Sequence, residues 1–292
     1  SAMVAPLHST QALETVRLEA ELFTTRLEAA GAIGVKRPVC IRARADAGSG
    51  RCPQQLGDGE QRLHLVRHGQ GFHNLLADLY HELGRKFDAA SGEGGEQNPY
   101  CRPEVVDPPL TEVGRIQARA LQQRAQTLKP DLVVVSPLAR ATQTALLAFS
   151  HLLEPAVADS RVHFVAHEGC HEIAGVHTCD RRRCLSELRR EFPMVDYDSA
   201  SVQEEDPFWS ETVREPLPQL AQRGYEFLLW IRSRPERDIV VASHFAWLFT
   251  LSSAVLHCDD ASLKAGFLTG EMRSIIVRFE DVPEPSAKRA RT

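Results

Sequence analysis

No stretch of this chain is apolar for long enough to cross a bilayer, which takes about 20 residues in a row, so no membrane partner is expected. No basic start leads into an apolar segment, so no secretory leader is expected either. Positive charge is not in surplus. The 34 Lys and Arg face 39 Asp and Glu, for a net charge of -5. That gives no global field for nucleic acid and leaves any anion site to a local cluster of Arg and His. The 7 cysteines are odd in number and lack framework spacing. That argues against a disulfide scaffold and for reduced thiols in the cytosol or nucleus. His177, Cys179 and Cys184 fit no common zinc spacing, so no metal and no cofactor are expected. No internal repeat is visible.

What is there suffices for one large α/β domain with an extension: 292 residues, 43% hydrophobic and 25% charged. Ser1-Ala2-Met3 reads as a cloning remnant. Leu13, Val16, Leu18, Leu22 and Leu27 recur with helical spacing between Ser9 and Ala30, with Ser9 or Thr10 as cap and Gly31 as stop. This predicts an added helix packed on the domain, with an interaction arm as the other reading. Residues 35–60 are rich in Gly, Arg and Asp. Ala47-Gly48-Ser49-Gly50 and Gly57-Asp58-Gly59 signal a linker or surface loop. The expected organisation is an N-terminal extension over 1–60, a main domain over 61–282 and a tail over 283–292. The tail's Lys288-Arg289-Ala290-Arg291 is a weak nuclear-import pattern; the expected location is cytoplasmic, with the nucleus as the alternative.

In the main domain, short apolar runs alternate with helical patterns. Gln61–Val66 reads as a strand, and Leu75, Leu76, Leu79, Tyr80 and Leu83 as a helix starting at Asn74. Arg67-His68-Gly69 stands between them. A strand that turns into a helix offers free N–H groups and a positive dipole end, and ligands of open α/β sheets sit there. Arg67 brings a guanidinium fork that matches phosphate oxygens. His68 is a nucleophile if one ring nitrogen donates to a backbone carbonyl and the other stays bare and neutral. Gly69 removes a side chain that would crowd a phosphate. Residues 89–109 are Gly-rich and then Pro-rich, a lid or an insertion. Thr111 caps the next helix, whose inner face reads as Val113, Ile116, Gln117, Ala120 and Leu121. Asp131–Ser136 is a buried strand running straight into a helix that starts near Arg140. Arg161–Ala166 is a strand leading to His167-Glu168-Gly169-Cys170-His171-Glu172. A helix over 215–233 precedes the β-branched strand Ile239–Ala242, which delivers Ser243-His244. An apolar helix over 245–257 and a last strand, Ser274–Phe279, follow.

The Arg67-His68-Gly69 turn resembles the signature of the histidine phosphatase superfamily, which includes the phosphoglycerate mutases. Leu110-Thr111-x-x-Gly114 and Ser136-Pro137-x-x-Arg140-x-x-Gln143-Thr144-Ala145 are similar to further elements of that family. The run Gly175-Val176-His177-x-Cys179-Asp180-x-Arg182-Arg183 resembles a plant, fungal and protist branch of phosphoglycerate mutase-like proteins. The likeness covers about Arg62 to Phe279. It implies a three-layer α/β/α sandwich with a mostly parallel central sheet and a helical and loop lid over the strand ends. It also implies a metal-independent phosphomonoester hydrolase. His68 would become phosphohistidine, and Arg67, Arg140 and His244 would gather around the phosphoryl group with the Asn74 amide. Glu172 would be the proton donor, on its Glu-x-x-Gly match, with Glu168 as competitor because it lies closer to the strand end. The basic run Arg181, Arg182, Arg183 has two readings: Arg182 and its neighbours reach remote anionic groups of the substrate, or they are a solvated helix start. Phe245 stands where many members have a small residue; it narrows the pocket or points into the core. The partner implied is a small phosphorylated molecule, not nucleic acid. A mutase-type phosphoryl transferase and a non-catalytic phosphate-binding module are the alternatives.

Overall fold

The computed structural model describes residues 10–46, 54–89, 97–153, 162–200 and 202–283. Ser9, the Ala47–Gly50 turn signal and the tail from 284 onward lie outside them. The strands are β1 (Val39–Ala45), β2 (Glu60–Arg67), β3 (Leu132–Val135), β4 (His163–Ala166), β5 (Val195–Asp196), β6 (Asp238–Ser243), β7 (His257–Cys258) and β8 (Met272–Asp281). The longer helices are α1 (Thr10–Ala29), α2 (Phe72–Glu82), α3 (Glu112–Ala120), α4 (Gln122–Ala125), α5 (Ala139–Ala148), α6 (Leu185–Glu191), α7 (Leu217–Arg232) and α8 (Phe245–Thr250).

The strands form one sheet in the order β5-β4-β3-β6-β2-β8-β1-β7. Only β8 runs against the others; it is antiparallel to both β2 and β1, while β1 and β7 are parallel. Side chains alternate across a strand, so each buried strand feeds two cores. Leu63, Leu65, Leu132, Val134, Ile239 and Val241 face α1, α7 and α8. Val66, Val133, Val135, Val240 and Ala242 face α5 and α6. Helices therefore cover both faces, as expected for a three-layer α/β class.

The sheet register sets up the site. Val135 pairs with both Ala166 and Ala242, and Val66 pairs with Ala242, so β4, β3, β6 and β2 end level with one another. The next residues in each chain segment, His167, Ser136, Ser243-His244 and Arg67-His68, thus emerge along one edge.

Three sequence expectations change. Residues 35–60 contain β1, not only loop. Its Ile41 and Ala43 are buried while Arg42 points out, and it pairs with β8. The Arg and Gly around this short alternation masked it. The inner face of α3 is Gly114, Gln117 and Ala118; Val113 and Ile116 are each 52% exposed. This helix meets backbone, and small residues allow the approach. The apolar helix from Phe245 is α8 followed by a π-helical turn, Leu251–Val255. The helix α1 is docked: Phe23 lies edge-on to Phe245 and Phe249, and Leu27 is buried. Burial of each such side chain contributes roughly 1.5–3 kcal/mol, which favours a packed element over a free arm.

Candidate active site

His68 follows β2, and its backbone N–H donates to the Ser243 carbonyl of β6 at 3.0 Å. Its ring is buried. Nδ1 lies 2.7 Å from the Gly69 carbonyl, so that nitrogen carries the proton and Nε2 keeps its lone pair. The Arg140 Nε–H meets that lone pair at 3.3 Å. Burial, then the charge of Arg140, hold His68 well below the usual imidazole range, so it is neutral at pH 7.

Arg140 starts α5 and is buried. Its Nη1 donates to the Cys179 carbonyl at 2.6 Å and its Nη2 to Asp180 Oδ1 at 2.9 Å. Arg67 donates through Nη1 to the Phe267 carbonyl at 2.5 Å, and its guanidinium lies 4.9 Å from the centre of the Phe245 ring. Among the described residues the Arg67 Nε has no hydrogen-bond partner. Phe245 therefore forms the floor under Arg67 while its other face stacks on Phe249, which joins the two readings of this residue. His244 lies 5.0 Å from His68, ring centre to ring centre. Its Nε2 is 2.7 Å from Ser136 Oγ, and its buried Nδ1 has no partner among the described residues. Burial and Arg140 keep this ring neutral too. Asn74 turns its Oδ1 to the Gly71 N–H at 3.0 Å, which leaves the amide end for other contacts.

Glu172 sits at the N-terminus of α8. Its Oε1 accepts from the Ile173 and Trp247 N–H groups at 3.0 and 3.1 Å, and its Oε2 from Ala246 at 3.2 Å. Burial pushes its carboxyl above the ordinary range, and the charge of Asp180 adds to this. Arg140 and the amides oppose the shift without cancelling it. Asp180 goes the other way. Burial would raise it, but the His177 hydrogen bond and the charges of Arg214 and Arg140 hold it well below the ordinary range. Two carboxylates pushed apart in this way suit one to be an acid and the other a fixed anion.

Two candidates from the sequence take other roles. Gly69 is not open to a ligand: a Cβ there would lie 2.4 Å from the Gly114 carbonyl, and its N–H donates to Thr144 Oγ1. The glycine is required because the turn and α3 touch backbone to backbone. Arg182 is buried and spends its donors inside the protein. Nε pairs with Glu168 at 2.9 Å, and the two terminal nitrogens bond the carbonyls of residues 183, 203, 204 and 205. It braces the Gln203–Glu205 segment and ties up Glu168 as well. Arg183 pairs with Asp107 and Glu191, and Arg181 lies over the Trp209 ring.

Sequence reasoning passed over Asp180, which pairs with Arg140 and, at 3.0 Å, with Arg214. It also passed over His73, buried 5.6 Å from His68. The only sequence signal for Asp180 was its place in the Gly-Val-His-x-Cys-Asp run. His177, Cys179 and Asp180 lie within 4.8 Å of one another, near enough to hold a metal ion. The two guanidiniums already on Asp180 make that spot unfavourable for a cation. Cys184 is turned away toward Glu205.

Residues 103–281 match the family model of the histidine phosphatase superfamily, branch 1. The chain belongs to this superfamily. An Arabidopsis thaliana phosphoglycerate mutase-like protein is 32% identical over 243 residues, 74% of this chain and 83% of its own length. Phosphoglycerate mutase-like protein 1 of the same plant is 32% identical over 245 residues, 74% of this chain and 80% of its own. A solved mycobacterial glucosyl-3-phosphoglycerate phosphatase complexed with VO3 is 21% identical, with a TM-score of 0.45 over 76% of this chain and 98% of that one. No helix among the described residues is long and apolar enough to cross a membrane.

Proposed function

We propose that this member of the superfamily is a metal-independent phosphomonoester hydrolase that works through a phosphohistidine on His68. The observation that carries this reading is the His68 ring: Nδ1 is anchored on the Gly69 carbonyl, and Nε2 is unprotonated with its lone pair turned to the Arg140 Nε–H. Nε2 attacks phosphorus and forms the N–P bond as the P–O bond to the alcohol breaks. The leaving oxygen takes a proton from Glu172, whose raised pKa keeps that proton available. Water then attacks phosphorus, gives its proton to Glu172, and the N–P bond breaks to release phosphate. Arg67, Arg140 and the unpartnered Nδ1 of His244 offset the charge of the transferring group. For this the Arg140 Nε–H passes from the His68 lone pair to a phosphoryl oxygen.

The names of the plant relatives favour a second reading, a mutase that returns the phosphoryl group to another hydroxyl. Phosphate release from p-nitrophenyl phosphate and from a metabolite library, with His68→Ala as blank, tests both. Turnover lost in His68→Ala supports the hydrolase. Near-normal turnover in that variant discards the assignment. Isomer formation without phosphate release favours the mutase, and phosphate binding with no turnover would make the protein a binding module.

A further inference from the structure

His244 is neutral and therefore carries one ring proton on two nitrogens. Which nitrogen holds it decides what the ring offers a phosphoryl group. A proton on Nδ1 makes that atom a donor to an anionic oxygen. A proton on Nε2 leaves Nδ1 as a lone pair, which repels one.

Ser136, at the end of β3, is fixed beside this ring by backbone. Its N–H donates to the Ala242 carbonyl at 2.9 Å, one step past the pairing of Val135 with Ala242. Its carbonyl accepts from Thr142 Oγ1 at 3.1 Å. On the other strand, Ser243 precedes His244 and is tied through its own hydroxyl to the Cys170 carbonyl at 2.7 Å. Neither Ser136 nor His244 is exposed. Among the described residues the Ser136 Oγ meets two groups: the Leu138 N–H at 3.4 Å and His244 Nε2 at 2.7 Å. The N–H is a donor and takes an oxygen lone pair. The hydroxyl proton then has one acceptor in reach, His244 Nε2. With the ring proton on Nε2, the hydroxyl proton would be buried with no acceptor, which costs free energy. Matching donors to acceptors thus assigns the ring proton to Nδ1, the atom with no partner among the described residues. The ring that carries it is centred 5.0 Å from that of His68.

We propose that Ser136 is a positioning residue for the phosphoryl transfer: its hydroxyl donates to His244 Nε2 and so fixes the tautomer in which Nδ1–H is free to donate to the phosphoryl group. The inference rests on the hydrolase reading above. Ser136 touches no reacting atom and acts only through the ring. The hydrogen bond also sets the ring plane, so the donor is oriented before substrate arrives.

Nitrogen-15 spectra of the histidine-labelled wild-type protein read the tautomer directly, with His244→Gln identifying the signal by its loss. Nδ1 of His244 should show the shift of a protonated nitrogen and Nε2 that of a bare one. Ser136→Ala frees the ring proton, so the signals should move toward the Nε2–H form. In the same variant kcat/KM for p-nitrophenyl phosphate should fall roughly 10–10²-fold, less than for loss of a whole donor because the ring remains. Competitive inhibition by inorganic phosphate should weaken with it. Ser136→Cys keeps the shape with a weaker donor, so its rate should fall between the two, and it repeats the test if alanine costs the fold. A wild-type ring protonated on Nε2, in protein that turns over substrate, would overturn the inference and leave the hydrolase reading intact. A folded Ser136→Ala protein with an unchanged tautomer, or with a rate within about twofold of wild type, would overturn it as well. No turnover by the wild-type protein would remove the hydrolase reading and this inference together.

Discussion

The Nε–H of Arg140 points at Nε2 of His68 across 3.3 Å, so the side chain proposed to clamp the phosphoryl group also covers the lone pair proposed to attack it. Arg140→Ala should lower kcat/KM by roughly 10²–10³-fold, the usual cost of one preorganised donor. It should also move the acid limb of the pH–rate profile. The charge of Arg140 helps to depress the imidazole. Without it the ring protonates at higher pH, and the residual activity should fall away sooner as pH drops. A limb that stays in place would detach Arg140 from the nucleophile.

Glu172→Gln keeps the shape at the start of α8 and removes the proton. Alkyl phosphates should slow by roughly 10²–10⁴-fold, and p-nitrophenyl phosphate much less, because its leaving group needs no acid. Rates measured over leaving groups of rising pKa check this. Equal losses across the series would move the acid elsewhere.

Asp180→Asn tests the coupling between the two carboxyls. The charge of Asp180 helps to raise Glu172. Its removal lets Glu172 ionise at lower pH, so the basic limb of kcat/KM should shift downward. An upward shift would contradict the arrangement.

Arg182→Ala leaves Glu168 buried and unpaired and orphans the carbonyls of residues 183 and 203–205. A loss of about 3–5 kcal/mol is expected from breaking such a pair. Chemical denaturation should show it, while KM of the protein that remains folded changes little. A large KM effect with unchanged stability would restore Arg182 as a substrate contact.

Burial holds His68, His73 and His244 well below the usual imidazole range. The unfolded chain binds protons at these sites first, near pH 6.5, so their contribution to stability is complete above that and is lost as pH falls toward the folded values. Unfolding free energy should drop between about pH 6.5 and 5. His73→Asn should flatten the slope by up to about 1.4 kcal/mol per pH unit. An unchanged slope would assign the acid sensitivity to other groups.

The sequence made the strand ends legible because β-branched runs such as Ile239–Ala242 and Leu132–Val135 announce buried strands, and His68, Arg140 and His244 stand next to them. It did not show what occupies them. Asp180 is far from Arg140 in the chain, and only the fold brings its carboxylate to 2.9 Å. The packing roles of Gly69 and Arg182 were not legible, because a glycine in a turn and an arginine in a basic run look alike whether they meet ligand, backbone or carboxylate. The short β1 was hidden because its outward residues are Arg and its neighbours in sequence are loop-like.

The place of β2 in the sheet bears on how the protein is made. Among the described residues its strand neighbours are β6 and β8, and the first of these begins at Asp238. The Phe267 carbonyl that holds Arg67 comes later still. During synthesis β2 leaves the ribosome well before β6 and β8, and both of its edges stay uncovered until they follow. Such long-range pairing slows assembly and leaves a bare edge open to chaperones or to other nascent chains. Catalytic competence therefore arrives as one late event, when β8 slots in beside a strand translated some two hundred residues before it.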